Sequence, residues 1–134
     1  MNDQTLRVLV VEDHPDTLMC LGYLFRRLGY MTLTADCCAA ARTACRDGGP
    51  VDVVVSDVGL PDGDGVALLE ELKHLYGVNS VALTAHVMPA DMQRYRRSSI
   101  DRCLMKPAGV GELRDVVESF KTTRRCAEIS RRIA

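Results

Sequence analysis

Five polar side chains follow apolar runs in this chain. Glu12 and Asp13 follow Leu-Arg-Val-Leu-Val-Val, Asp57 follows Val-Asp-Val-Val-Val-Ser, Thr84 follows Ser-Val-Ala-Leu, and Lys106 follows Arg-Cys-Leu-Met. Brought to one edge of a sheet, the three carboxylates repel one another. At least one would then hold its proton unless a cation intervened. A hard divalent ion with oxygen ligands relieves that repulsion, and Mg2+ is the available one. A hydroxyl and an ammonium beside a carboxylate suit a phosphoryl group: Thr84 donates a hydrogen bond and Lys106 supplies positive charge. A carboxylate that accepts a phosphoryl group is ordinary covalent catalysis.

The elements that must position these residues alternate along the chain. Leu6–Val11 reads as a buried strand. Asp13-His14-Pro15-Asp16 signals a helix start. Leu18, Leu21, Leu24, Phe25 and Leu28 then mark one helical face, which Gly29 ends. Tyr30–Ala35 is a second strand and Cys37–Arg46 a second helix, stopped by Gly48-Gly49-Pro50. Val51–Ser56 is a central strand, and Asp57–Gly65 consists of turn residues. Val66, Leu69, Leu72 and Leu75 mark a third helix. Ser80–Thr84, Pro89–Arg97, Arg102–Met105 and a last helix marked by Val110, Leu113, Val117 and Phe120 complete five strand–helix units. The fold class is α/β, a doubly wound (βα)5 three-layer sandwich on a five-stranded parallel sheet with right-handed crossovers. In such folds ligands bind beyond the carboxyl ends of the strands. Residues 1–120 form one domain, and 121–134 are a basic helix extension or linker.

In order and spacing these motifs resemble the receiver domain of two-component response regulators. They are Val-Leu-Val-Val-Glu12-Asp13, Val-Val-Val-Ser-Asp57-Val-Gly-Leu-Pro-Asp-Gly-Asp-Gly, Val-Ala-Leu-Thr84-Ala and Leu-Met-Lys106-Pro107. The resemblance covers roughly residues 6–120 and implies a flavodoxin-like strand order 2-1-3-4-5. It implies that Asp57 takes a phosphoryl group from a phosphohistidine on a histidine kinase or phosphotransfer protein. Glu12 (through water), Asp13, Asp57 and the backbone carbonyl of Gly59 would hold Mg2+. Thr84 would bind the phosphoryl oxygen, Lys106 would pair with Asp57 or its phosphate, and Lys106-Pro107 would be cis. The signal would be a shift of the face formed by helix four, strand five and helix five.

Two positions depart from the family pattern. Cys103 stands where the family often carries an aromatic rotamer switch, and a thiol has no ring to swing. Gly59, two residues after the acceptor, leaves the acyl phosphate open to water, and His86, two after Thr84, would orient or shield that water. Both are expected to tune phosphate lifetime. Other residues take plainer roles. His14 and His74 are read as surface residues, Ser56 as packing, Asp62 as turn chemistry and Asp64 as a helix cap. The Arg94-Tyr95-Arg96-Arg97 run is a solvated face or a docking surface.

Composition narrows the alternatives. With 134 residues, 47% hydrophobic and 26% charged, the chain is long and apolar enough for one globular core. Its net charge of −1 offers no overall basic field for nucleic acid. Basic residues do cluster at the end, where Lys121, Arg124, Arg125, Arg131 and Arg132 face Glu128 alone. Leu18–Phe25, the longest uncharged apolar run, is far short of the roughly 20 residues a membrane span needs. Without a leader pattern the expected location is the cytoplasm. The six cysteines, with no Cys-x-x-Cys pair, read as reduced thiols.

A dinucleotide enzyme lacks its Gly-x-Gly-x-x-Gly, and Glu12-Asp13 would repel a pyrophosphate. A carboxylate-nucleophile phosphatase needs a general acid where Gly59 stands. A phosphorylation-independent pseudo-receiver, acting as a protein-binding module, is the remaining alternative. The expected setting is the C-terminal receiver of a hybrid sensor kinase, ahead of a stand-alone regulator or a receiver from another regulator. The expected chain is a monomer or weak dimer signalling to a downstream protein partner.

Overall fold

A computed structural model describes the backbone of residues 5–85 and 89–133 and the side chains of residues 5–85 and 93–121. The strands are β1 (Arg7–Val11), β2 (Met31–Ala35), β3 (Val53–Asp57), the short β4 (Gly59–Leu60) and β5 (Gly63–Asp64), β6 (Asn79–Thr84) and β7 (Arg102–Met105). The helices are α1 (Pro15–Arg27), α2 (Cys38–Asp47), α3 (Gly65–Tyr76), α4 (Pro89–Arg97) and α5 (Val110–Ile133). The five long strands form one parallel sheet in the order β2-β1-β3-β6-β7. That is the expected order 2-1-3-4-5 once the extra pair β4–β5 is numbered.

Alternation along each strand divides the core in two. Val8 and Val10 of β1, Val53 and Val55 of β3, and Val81 and Leu83 of β6 face one side, with Phe25, Leu113, Val117 and Phe120 packed on them. Leu9, Val11, Val54 and Ala82 face the other, against Cys38, Ala41, Cys45, Leu68, Leu69 and Leu72. Being buried on both faces is why the central strands read as unbroken apolar runs.

Strand and helix ends differ from the sequence reading by one or two residues. The segment 57–65, expected to be turn throughout, holds an antiparallel hairpin in which Gly59 pairs with Asp64 and Leu60 with Gly63. Leu75 and Val110, expected on apolar faces, are 59% and 54% exposed, because each lies at a helix end beyond the reach of the sheet. Leu68 takes a core position instead. Positive φ at Gly29 and Gly77 lets the chain leave α1 and α3, as a residue without Cβ permits. Among the described residues no helix is long and apolar enough to cross a membrane.

Candidate functional site

Parallel strands deliver their carboxyl ends to one edge, and the site assembles there. Glu12 follows β1 and is buried, its N–H donating to the carbonyl of Ala35 at 3.0 Å. Asp57 closes β3, Thr84 closes β6, and Lys106 follows β7 with its N–H on the carbonyl of Thr84 at 2.8 Å. Oxygens of Glu12, Asp13 and Asp57 all lie within 4.8 Å of one another. The structure therefore brings together all five residues singled out at the strand ends.

Lys106 does more than the sequence suggested. Its Nζ lies 2.7 Å from Glu12 Oε1 and 3.1 Å from Asp57 Oδ2, so one ammonium serves two carboxylates. Burial works against this ammonium, but hydrogen bonds and charge from Glu12 and Asp57 outweigh burial and hold its pKa above the ordinary lysine value. The second oxygen of Glu12 accepts from the His14 N–H at 3.2 Å. One ammonium does not balance three carboxylates. The donor set is hard carboxylate oxygen from three residues gathered within 4.8 Å, a donor chemistry that fits Mg2+. Gly59 lies exposed beside the group, its N–H 3.4 Å from Asp57 Oδ1, and a Cβ there would meet nothing within 4 Å. His86 lies outside the described residues.

The supporting turns explain the other polar residues. His14 caps α1, its Nδ1 accepting from Thr17 N at 3.3 Å, with Pro15 in the first helical turn. Asp64 caps α3, as expected, accepting from Val66 N at 3.1 Å. Asp62 departs from its expected role within the turn. Its carboxylate reaches across to cap α2, accepting from Cys38 N at 2.7 Å and Ala39 N at 3.0 Å. Those backbone hydrogen bonds pull its pKa below the usual carboxylate value. No local signal could have found this contact, since the partners lie 24 residues apart in sequence. His74 is exposed and Ser56 fully buried, as read. The arginine run is divided: Tyr95 is buried, Arg94 pairs with Asp64, and Arg96 and Arg97 are exposed.

Cys103 packs half-buried against the α2–α3 side of the core. Burial raises its pKa, so it rests as a neutral thiol with none of the activation a redox site needs. The Lys106-Pro107 bond is cis. Cys20, Cys37, Cys38, Cys45 and Cys103 are free thiols.

A family model for the response regulator receiver domain matches residues 8–118. The sensor histidine kinase RcsC of Salmonella typhi is 30% identical over 120 residues, covering 89% of this chain and 13% of that protein. The virulence sensor protein BvgS of Bordetella pertussis is 36% identical over 118 residues, covering 82% of this chain and 10% of that protein. The chain thus spans only a small part of these relatives. Among solved structures, a CheY-like receiver domain protein from Methanospirillum hungatei JF-1 superposes with a TM-score of 0.84 at 19% identity, covering 92% of this chain and 98% of that one. A receiver domain protein from Clostridium thermocellum gives 0.82 at 21% identity, covering 91% and 98%. These two likenesses carry the fold.

Proposed function

The chain belongs to the response regulator receiver domain family, and we propose that it works as a Mg2+-dependent phosphoacceptor in a phosphorelay, with Asp57 as the acceptor. The observation that carries this reading is the shared ammonium: Lys106 Nζ sits 3.1 Å from Asp57 Oδ2 and 2.7 Å from Glu12 Oε1, within a three-carboxylate group. The donor is a phosphohistidine on a histidine kinase or phosphotransfer protein. An Asp57 carboxylate oxygen forms the new bond to phosphorus as the phosphorus–nitrogen bond breaks. The electron pair returns to the imidazole, which takes a proton from water. Lys106, already held against Asp57, stays to balance the arriving charge, and the Thr84 hydroxyl donates to a phosphoryl oxygen. Glu12 (through water), Asp13, Asp57 and the Gly59 carbonyl would hold Mg2+, which when bound neutralises phosphoryl oxygens that three carboxylates would otherwise repel.

As a domain it is a phosphoacceptor with self-phosphorylation and autodephosphorylation rather than a turnover enzyme. Its place is the cytoplasmic receiver of a larger sensor kinase, passing its state to a downstream protein through the α4–β7–α5 face. Residues 1–120 form the working domain and 121–134 a basic extension. Gly59 and His86 set phosphate lifetime.

Acetyl phosphate with and without Mg2+, on wild type and Asp57→Ala, tests the reading by intact mass. A gain of about 80 Da that needs both Mg2+ and Asp57 is expected. A gain that survives Asp57→Ala would remove Asp57 as the acceptor, and no response to either acetyl phosphate or beryllofluoride would leave only a protein-binding module.

A further inference from the structure

Helix α4 is polar, and Tyr95 is its buried side chain among the described residues. Next to it, Arg94 leaves the helix and pairs with the carboxylate of Asp64. That carboxylate also caps α3 through Val66 N. Asp64 lies opposite Gly59 in the β4–β5 hairpin, and the N–H of Gly59 points at the acceptor carboxylate of Asp57. The hairpin is pinned at its open end, beside Asp57, where Gly65 N donates to the carbonyl of Val58 at 2.7 Å. Asp57, Gly59, Asp64 and Arg94 therefore form one continuous physical path from the acceptor to α4. On β7, Cys103 is a neutral half-buried thiol with no ring to move.

We propose that the Asp64–Arg94 ion pair is the latch that ties α4 to the state of Asp57. It rests on the receiver reading and adds the residues that carry the change. When the Asp57 carboxylate is modified, its contact with the Gly59 amide changes and strand β4 shifts. Paired strand β5 moves with it, and Asp64 draws or releases α4 through Arg94. The pair is suited to this. Its side chains are 49% and 37% exposed, so it adds little to stability and is readily broken, yet its two ends belong to different elements. A coupling of this kind is reciprocal between its ends.

The test uses the 15N-labelled full chain with Mg2+ and beryllofluoride standing in for the phosphoryl group. Wild type is compared with Arg94→Met, Asp64→Asn and the double variant. Asn keeps an oxygen for the α3 cap but loses the charge. In wild type the amides of Gly59 and Thr84 are expected to shift together with those of Tyr95 to Ser98. In each single variant the Gly59 and Thr84 shifts should persist while the Tyr95–Ser98 shifts fall by at least half. The double variant should lose no more than either single one. Undiminished Tyr95–Ser98 shifts in Arg94→Met would overturn the latch, as would wild-type shifts confined to Gly59 and Thr84. A wild type silent at Gly59 and Thr84 would instead remove the phosphoacceptor reading, and the latch with it.

Discussion

Gly65 stands so close to the backbone carbonyl of Asp57 that a Cβ on it would collide with that oxygen and come within 2.9 Å of the Asp57 carbonyl carbon and the Val58 Cα. The first residue of α3 is thereby packed directly against the acceptor's own main chain. The hydrogen bond from Gly65 N to the carbonyl of Val58 holds it there.

Gly65→Ala should therefore destabilise the domain. Helix propensity alone would favour alanine by about 1 kcal/mol. Collision with backbone atoms, which cannot rotate away, should reverse the sign and cost about 2–3 kcal/mol. A lower urea midpoint with an unchanged m-value is the expected result, together with weaker phosphorylation because Asp57 must shift.

Mg2+ should stabilise the folded chain. At a concentration tenfold above its dissociation constant the gain is about 1.4 kcal/mol, read as a higher Tm. Asp13→Asn removes one of three clustered carboxylates. It should abolish the Mg2+-dependent rise while leaving the metal-free protein at least as stable, since a like charge has gone.

Gly59→Asn should fold normally, because a side chain at that exposed position meets no atom within 4 Å and the backbone there is not left-handed. Its side chain would stand beside the acyl phosphate and hinder attacking water, so dephosphorylation measured by intact mass should slow several-fold. His86→Ala, made alongside, should alter the same rate. Decay matching wild type in both variants would remove the tuning role.

Stability should fall in alkali. Burial, aided by a hydrogen bond to Asp62, pushes the Cys38 thiol up to about 11. The folded state thus binds this proton more tightly than the unfolded chain does. Its contribution is full below the ordinary thiol pKa and is lost as pH rises through about 11. Lys106, held above its ordinary value, and Tyr30, raised by burial and its 2.5 Å hydrogen bond to Glu118, act with the same sign at higher pH. Urea midpoints from pH 8 to 11.5 should decline, and Cys38→Ala should flatten the first part of that decline.

The amino-acid sequence by itself determined the alternation of elements and the edge where the chemistry gathers. Strand cores such as Val53-Val54-Val55 and the capping and stop residues Asp64 and Gly29 act through neighbours in the chain. Period and turn chemistry therefore expose them, and parallel crossovers then oblige Glu12, Asp57, Thr84 and Lys106 to meet. Only the tertiary structure decided which groups pair. Lys106 divides itself between Asp57 and Glu12, the latter 94 residues away; Asp62 caps a helix 24 residues back; and Asp64 takes Arg94, 30 residues on. The hairpin hidden in Asp57–Gly65 belongs with these. Its glycines and aspartates look like any turn until Gly65 is pressed against Asp57. Such contacts depend on distances between side chains from separate elements, and no periodicity within one element encodes them.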